Sequence, residues 1–588
     1  MFLHRIAVIL GLGLMTAACA GQPPGAPAMT GARSADKLGA TPAGAYLAAR
    51  HAQVERDNAR AADLYARALA FAPEDPELLR RAFSAMASEG RIGEAAMLAE
   101  RLKKAQMNIQ LANLVIAVHA AKAGQYSRAE QELAALPDSG FNNFISPLLI
   151  AWARAGRGDT PGAVAALAPM ERTRGFESFA NLHAALILDV ANDRDAAAAR
   201  YAKTLTGNSG FIRAVQAVAS FYARNGQAAR ARDIYLAFEA AHPESGIGRV
   251  GMGDLSSGVP TEPLVNNAHE GMAEALFNLS SLLHQQNLDE VALVLGQLAL
   301  YLKPDFDIAE LLIADIMEST GQSERAVAIY EGLPAQSSFH WSARLRAAAI
   351  LDDLGRTDEA IAHLTKMSEE QPKRIEPLVA MGDILRGRER FAEAVAAYDR
   401  ALARVAKVEQ RHWAVLYARG ISLERTKQWA RAEADFLKAL EFNPDQPYVL
   451  NYLGYSWVER GEHLEQALQL IEKAVKLRPE DGYIVDSMGW VLYMLGQYEG
   501  AVTNLERAAE LRPQDPVIND HLGDAYWRVG RQMEARFQWR RALSLKPEAE
   551  LSRTLNDKLA RGLAEEKPNR GSARETTAAP NASAGRGI

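Results

Sequence analysis

Apolar residues in the stretch DGYIVDSMGWVLYMLGQYEGAVTNLERAAELRP, Asp481 to Pro513, fall three and four apart on either side of Gly496. Val485, Met488 and Leu492 form one stripe and Ala501, Leu505 and Ala508 a second, with polar residues between, which predicts two amphipathic helices joined at Gly496. A second glycine, Gly489, falls inside the first helix, where glycine costs about 1 kcal/mol against alanine. A close neighbour must need the missing side chain. The same arrangement returns upstream with Gly454 and Gly461 and downstream with Gly523 and Gly530.

The register extends along most of the chain. A small residue opens the second predicted helix of each copy: Ala61, Ala95, Ala129, Ala163, Ala197 and Ala231 at a spacing of 34, then Ala292, Ala326, Ala360, Ala394, Ala432, Ala467, Ala501 and Ala535. Glycine precedes it by five residues at Gly90, Gly124, Gly158, Gly226, Gly321, Gly355, Gly496 and Gly530. Proline, which cannot continue a helix, ends many copies, among them Pro73, Pro243, Pro304, Pro372, Pro444, Pro479, Pro513 and Pro547.

A 34-residue unit of two helices resembles the tetratricopeptide repeat. Leu522, Gly523 and Tyr526 match its first helix, and Ala535, Trp539, Ala542 and Pro547 its second helix and stop; Met488, Gly489, Leu492, Ala501, Leu505, Ala508 and Pro513 repeat the match one unit earlier. The resemblance implies an all-α superhelical solenoid of antiparallel helix pairs, about 14 repeats in two arrays. Six repeats are expected over 42–245 and about eight over 273–549, with an irregular connector at 246–272 where the period breaks. Leu551, Leu555, Leu559 and Leu563 place one apolar stripe on a predicted capping helix at 550–567, and the polar residues 568–588 read as a disordered tail. Such an array escapes the limit of roughly 250 to 300 residues at which one compact core stops growing, because each repeat buries its apolar face against its neighbours.

The first residues follow a different rule. MFLHRIAVILGLGLMTAAC has a basic Arg5, an apolar run from Ile6 to Met15 and small residues before Cys19, as export signals do. Cys19 is the single cysteine, so no internal disulfide forms, and its setting resembles the lipobox of bacterial lipoproteins, with Thr16 where leucine is usual. The resemblance implies a signal peptide at 1–18, acylation of Cys19, a flexible tether at 19–41 and, with alanine at position 20, an outer-membrane protein facing the periplasm. Cleavage after Ala20, which releases a free periplasmic protein, is the alternative. A net charge of −6 gives no sign of a nucleic-acid partner, and no apolar run of about 18 residues follows the signal.

Sequence motifs for catalysis are lacking: there is no HExxH, no GxSxG and no phosphate-cradling glycine loop, and neither cofactor nor metal is expected. His340, His412 and His521 are isolated helical histidines and read as structural or solvent-facing. The candidate function is therefore binding. In tetratricopeptide arrays, positions 2, 5, 9 and 12 of the first helix line the concave side. In the last four repeats this implies a partner groove of Tyr417, Tyr448, Asn451, Tyr455, Tyr483, Asp486, Trp490, Tyr493, Asp520, Asp524 and Trp527, flanked by Ile421, Glu424, Val458 and Val517. Aromatic residues are only 7% of the chain, so their density here marks a recognition surface, with the three aspartates favouring a basic or amine-bearing protein. Amide- and lysine-lined grooves that clamp a carboxylate are not matched.

The chain also looks like the long tetratricopeptide lipoproteins of proteobacteria. One of these is the adaptor of a periplasmic carboxy-terminal processing protease and presents cell-wall hydrolases to it. That resemblance implies a non-enzymatic scaffold that holds protein partners and touches the membrane through its lipid. The alternatives are an assembly factor for envelope export, such as a pilus or exopolysaccharide secretion scaffold, and a regulatory array lost from an enzyme such as a glycosyltransferase, which the export signal argues against.

Overall fold

Aspartate side chains open many of the helices. Asp57, Asp75, Asp159, Asp193, Asp481 and Asp515 each accept a hydrogen bond from a backbone N–H of the first turn, satisfying a donor that has no partner inside the helix. The turn between paired helices is closed by a left-handed residue. Gly90, Gly124, Gly158, Gly226, Gly321, Gly355, Gly496 and Gly530 all have φ between 73° and 82° there. Where the repeat lacks that glycine, Arg56, Asn192, Asn287, Glu389 and Lys427 take the same conformation at φ 58–63°.

In a computed structural model of the chain, the described residues are 41–563 without 108, 138, 206–211, 243–250, 254 and 257–260. The predicted signal peptide, Cys19, the tether but for its last residue, part of the connector and the predicted tail lie outside them. No strand occurs among the described residues. The helices divide into two compact units after Gln322.

The first unit opens with α1 (Pro42–Val54) and α2 (Asn58–Phe71), then α3 (Pro76–Ser88) and α4 (Ile92–Lys104), then α5 (Gln110–Lys122) and α6 (Tyr126–Ala134). Next come α7 (Asn142–Gly156) with α8 (Thr160–Ala166) and the short α9 (Ala168–Glu171), and α10 (Glu177–Val190) with α11 (Arg194–Thr204). It continues through α12 (Ile212–Arg224), α13 (Ala228–Ala241), α14 (Ala268–Gln285), α15 (Asp289–Leu302) and α16 (Asp307–Ser319).

α14 and α15 do not extend a simple stack. α14 packs on α7 and α10, and α15 on α3 and α5, which are first helices of successive repeats. Gly271 permits this approach, since a Cβ there would lie 2.2 Å from the Trp152 ring. Trp152 donates its indole N–H to His183 at 3.0 Å, and Arg213 grips the buried Glu274 carboxylate with two bonds of 2.8 and 2.5 Å. α14 and α15 thus lie on the inner helices of the first unit, where this hairpin buries its small and apolar face.

The second unit begins with α17 (Ser323–Gly332), α18 (His340–Asp353), α19 (Thr357–Glu370), α20 (Glu376–Gly387) and α21 (Phe391–Ala403). It then runs through α22 (Trp413–Arg425), α23 (Trp429–Phe442), α24 (Pro447–Arg460), α25 (Leu464–Leu477), α26 (Gly482–Met494) and α27 (Tyr498–Leu511). It closes with α28 (Pro516–Arg528), α29 (Gln532–Ser544) and α30 (Ala549–Arg561). First helices touch first helices, α18 with α20, α20 with α22, α24 with α26 and α26 with α28, whereas second helices make no comparable contacts with one another. The first helices therefore form the inner, concave layer.

The mid-helix glycines fix how close each pair lies. A Cβ at Gly382, Gly420, Gly454, Gly489 or Gly523 would meet Tyr398, Phe436, Ile471, Leu505 or Trp539 at 2.4–2.8 Å, and in every case the partner sits four residues after the small residue that opens the second helix. Gly489 is thus small because Leu505 of its own repeat fills the space a methyl would need.

Candidate functional site

The inner surface of α22, α24, α26 and α28 carries the candidate residues, because the packing stripe of each first helix faces its partner and the preceding repeat. Trp490, half-buried on α26, is tied on two sides. Its indole N–H donates to Glu459 Oε1 of α24 at 2.7 Å, and its ring stacks on His521 of α28 at 4.0 Å between centroids and 14° between planes. Tyr493 stacks on the same indole at 4.8 Å and 4°, and its hydroxyl accepts from Arg528 Nε at 3.1 Å. Three repeats are joined by this one ladder.

His521 is charged in this setting. Burial alone would push its pKa down, but Asp486, whose two oxygens lie 3.0 Å from Nδ1, and the further charges of Asp520 and Glu459 raise it to about 9. The imidazolium is buried with its carboxylate, so Asp486 is not free to receive an outside cation. The other two aspartates are also occupied. Lys558 of α30 reaches Asp520 at 2.7 and 2.8 Å and Asp524 at 2.7 Å, and Asp524 also accepts from the Trp539 indole at 2.9 Å. Burial first and the Asp520 charge second raise the Asp524 carboxyl to about 6 against the opposing pull of Lys558.

The expected groove residues therefore separate into groups. Asp486, Trp490 and Tyr493 form the ladder with Glu459 and His521. Asp520, Asp524 and Trp527 lie under α30, with a Cβ at Gly562 only 2.1 Å from the Trp527 ring. Tyr448 and Tyr483 are half-buried near the starts of α24 and α26, with Arg478 and Arg512 over their rings at 5.9 and 5.1 Å. Tyr417 packs edge-on to Tyr452 at 6.1 Å and against Phe436 at 6.2 Å. Two residues are less open than their positions predict: Tyr455 is 8% exposed and Asn451 9%, with the Asn451 Oδ1 buried and without a hydrogen-bond partner. Asp486, Asp520 and Asp524 thus each already hold a cation of the chain itself, His521 for the first and Lys558 for the other two.

Sequence reasoning missed Glu459, Arg528 and Lys558, and read His521 as structural or solvent-facing without its place in the ladder. Glu459 and His521 each lie one residue beyond a concave position, 458 and 520, where a helix turns its side chains toward the neighbouring repeat. That offset was the available signal for both. Lys558 had none, because it belongs to α30, which stands outside the repeat register. No cluster of metal-ligating side chains is found among the described residues, and none of the described helices is long and apolar enough to cross a membrane.

Family models for tetratricopeptide repeats match residues 379–447 and 489–530. A TPR repeat-containing protein of Pseudomonas aeruginosa is 31% identical over 196 residues, 33% of this chain and 32% of that protein. The BBSome complex member BBS4 of Bos taurus is 28% identical over 109 residues, 18% of this chain and 20% of that one. The chain thus spans a third or less of the length of these curated relatives. Among solved structures, the APC/C hetero-tetramer Cut9–Hcn1 aligns over 90% of this chain and 98% of that chain with 15% identity and a TM-score of 0.36. The described residues form an all-α array of helix pairs, and tetratricopeptide repeats are matched at 379–447 and 489–530 within it.

Proposed function

From this repeat architecture we propose that the protein is a non-enzymatic scaffold that holds other proteins, and that the concave layer of the second unit is where it holds them. One observation carries the reading. On the inner side of α24, α26 and α28, Tyr448, Tyr483, Trp490, Tyr493 and Trp527 remain half-buried, while the carboxylates beside them are paired within the chain. Aromatic area without unmet charge favours a protein segment that contributes side-chain and backbone contacts, as interface hot spots do. In the first unit α14 and α15 lie on the inner helices α3, α5, α7 and α10.

The resemblance of the leader to a lipobox supports a lipid anchor at Cys19 and a place on the periplasmic side of the outer membrane. Two acyl chains suffice for stable attachment. In that setting the scaffold is an adaptor that presents substrates to a periplasmic processing protease. The test is cross-linking in intact envelopes with the full chain, its Cys19→Ser variant and a Tyr448→Asp/Tyr483→Asp variant. The reading predicts membrane fractionation that is lost with Cys19→Ser, and a protease and its substrates cross-linked to the unaltered chain but not to the double variant. A soluble unaltered chain contradicts the anchor, and equal cross-linking by the double variant contradicts the groove.

A further inference from the structure

α30 does more than cover the last repeat. A cap needs only its apolar face, and Leu551, Leu555, Leu559 and Leu563 supply one against α28 and α29. Yet α30 also carries Lys558 over the edge of the stack onto the concave side, where its side chain is 12% exposed and lies between Asp520 and Asp524, themselves 9% and 7% exposed. Those two aspartates stand at positions 5 and 9 of their repeat, which face the inner layer. The backbone at Gly562 then closes on Trp527, at position 12. One short helix thus occupies every large or charged inner position that the final repeat offers.

The attachment is ionic in character and thin in apolar contact. Of the thirteen residues of α30 only Leu555 is fully buried, against nine of the thirteen in α28. A further contact is polar, the Arg536 guanidinium on the Leu559 carbonyl. One ammonium serves two carboxylates there. The first unit repeats the theme independently: there the inner helices hold the hairpin α14–α15, and Arg213 at position 2 of its repeat pairs with Glu274 of the incoming helix. In both units the inner face receives a helix of the same chain through an ion pair.

We propose that α30 is a detachable internal ligand at the C-terminal end of the second unit's concave face, displaced by a partner helix that brings a lysine or arginine to Asp520 and Asp524. This rests on the scaffold reading and adds the class of partner segment and the contact it must replace. Short helices of this length are marginal on their own, so a released α30 is expected to unfold or find another surface.

Hydrogen exchange on the unmodified full chain tests the detachment. The amides of α30 should exchange at least about 100-fold faster than those of α28, and Lys558→Ala should speed α30 further while leaving α24–α28 protected. Exchange of α30 in step with α28 overturns the proposal and makes it a cooperative end cap. A second arm uses the labelled peptide of residues 549–562 as probe. It should bind a full chain carrying Leu555→Asp/Lys558→Ala at least about tenfold more tightly than the unmodified chain, and lose that binding when Asp520→Asn/Asp524→Asn is added. Equal binding to both chains, or none to either, overturns it. Neither arm uses a partner protein, so failure here is distinct from failure of the scaffold reading.

Discussion

Trp490 and Glu459 are bonded across a repeat boundary, the indole N–H meeting Oε1 at 2.7 Å, so a tryptophan of the inner face is also a joint between repeats. Trp490→Ala should therefore lower the stability of α24–α28 by roughly 2 kcal/mol, less than a fully buried tryptophan because the ring is half-open. Trp490→Phe keeps the stack on His521 and should cost about 1 kcal/mol for the lost hydrogen bond. Local hydrogen exchange reads both, and unchanged protection in Trp490→Ala would show that the ladder holds nothing.

The buried His521–Asp486 pair should make stability depend on pH. The folded-state pKa of His521 is raised to about 9 from the ordinary histidine value of about 6.5, so its contribution is complete below about pH 6.5 and disappears as pH rises through 9. The linked change is of order 3 kcal/mol. Urea unfolding of the full chain at pH 6 and pH 9, with His521→Gln as control, should show a larger loss in the parent than in the variant. Parallel losses would place the titration elsewhere.

Two kinds of glycine should fail differently. Gly489→Leu drives a side chain into Leu505, whose Cγ lies 2.4 Å from the position of a Cβ, and should cost roughly 1 to 3 kcal/mol by overpacking. Gly496→Ala meets no atom but must hold φ 77°, and should cost about 1 kcal/mol from backbone conformation alone. Replacing Glu389, which already sits at φ 59°, by glycine should stabilise or be neutral. Denaturant titrations of the three variants decide it, and equal losses at positions 489 and 496 would contradict the distinction.

In the first unit, Glu274→Ala leaves Arg213 partly buried without its carboxylate. Removing one partner of such a pair typically costs about 3 to 5 kcal/mol. Limited proteolysis should then cut within α14 or α15 before the helices of the second unit. An unchanged cleavage pattern would mean the hairpin is held by its apolar face alone.

The repeat was legible because its determinants are local and periodic: Gly489 with Leu505, and Gly496 with its left-handed turn, recur at fixed offsets. The connections of the site were not. Lys558 meets Asp520 across 38 residues and outside the repeat, and α14 returns to Trp152 over more than a hundred, so no spacing announces either. Periodicity assigns a residue to a face, but it does not say whether another part of the chain already covers that face. Asp520 and Asp524 illustrate the difference.

The central claim is that the inner layer of the second unit, and not its outer surface, receives the partner. A photo-cross-linking residue placed in turn at Tyr448, Tyr483, Tyr493, Met533 and Phe537 of the full chain in the envelope tests it, the last two being 84% and 61% exposed on the second helix α29. The account predicts one common partner protein cross-linked from positions 448, 483 and 493 and none from 533 and 537. Cross-links from 533 and 537 with none from the three tyrosine positions would contradict it.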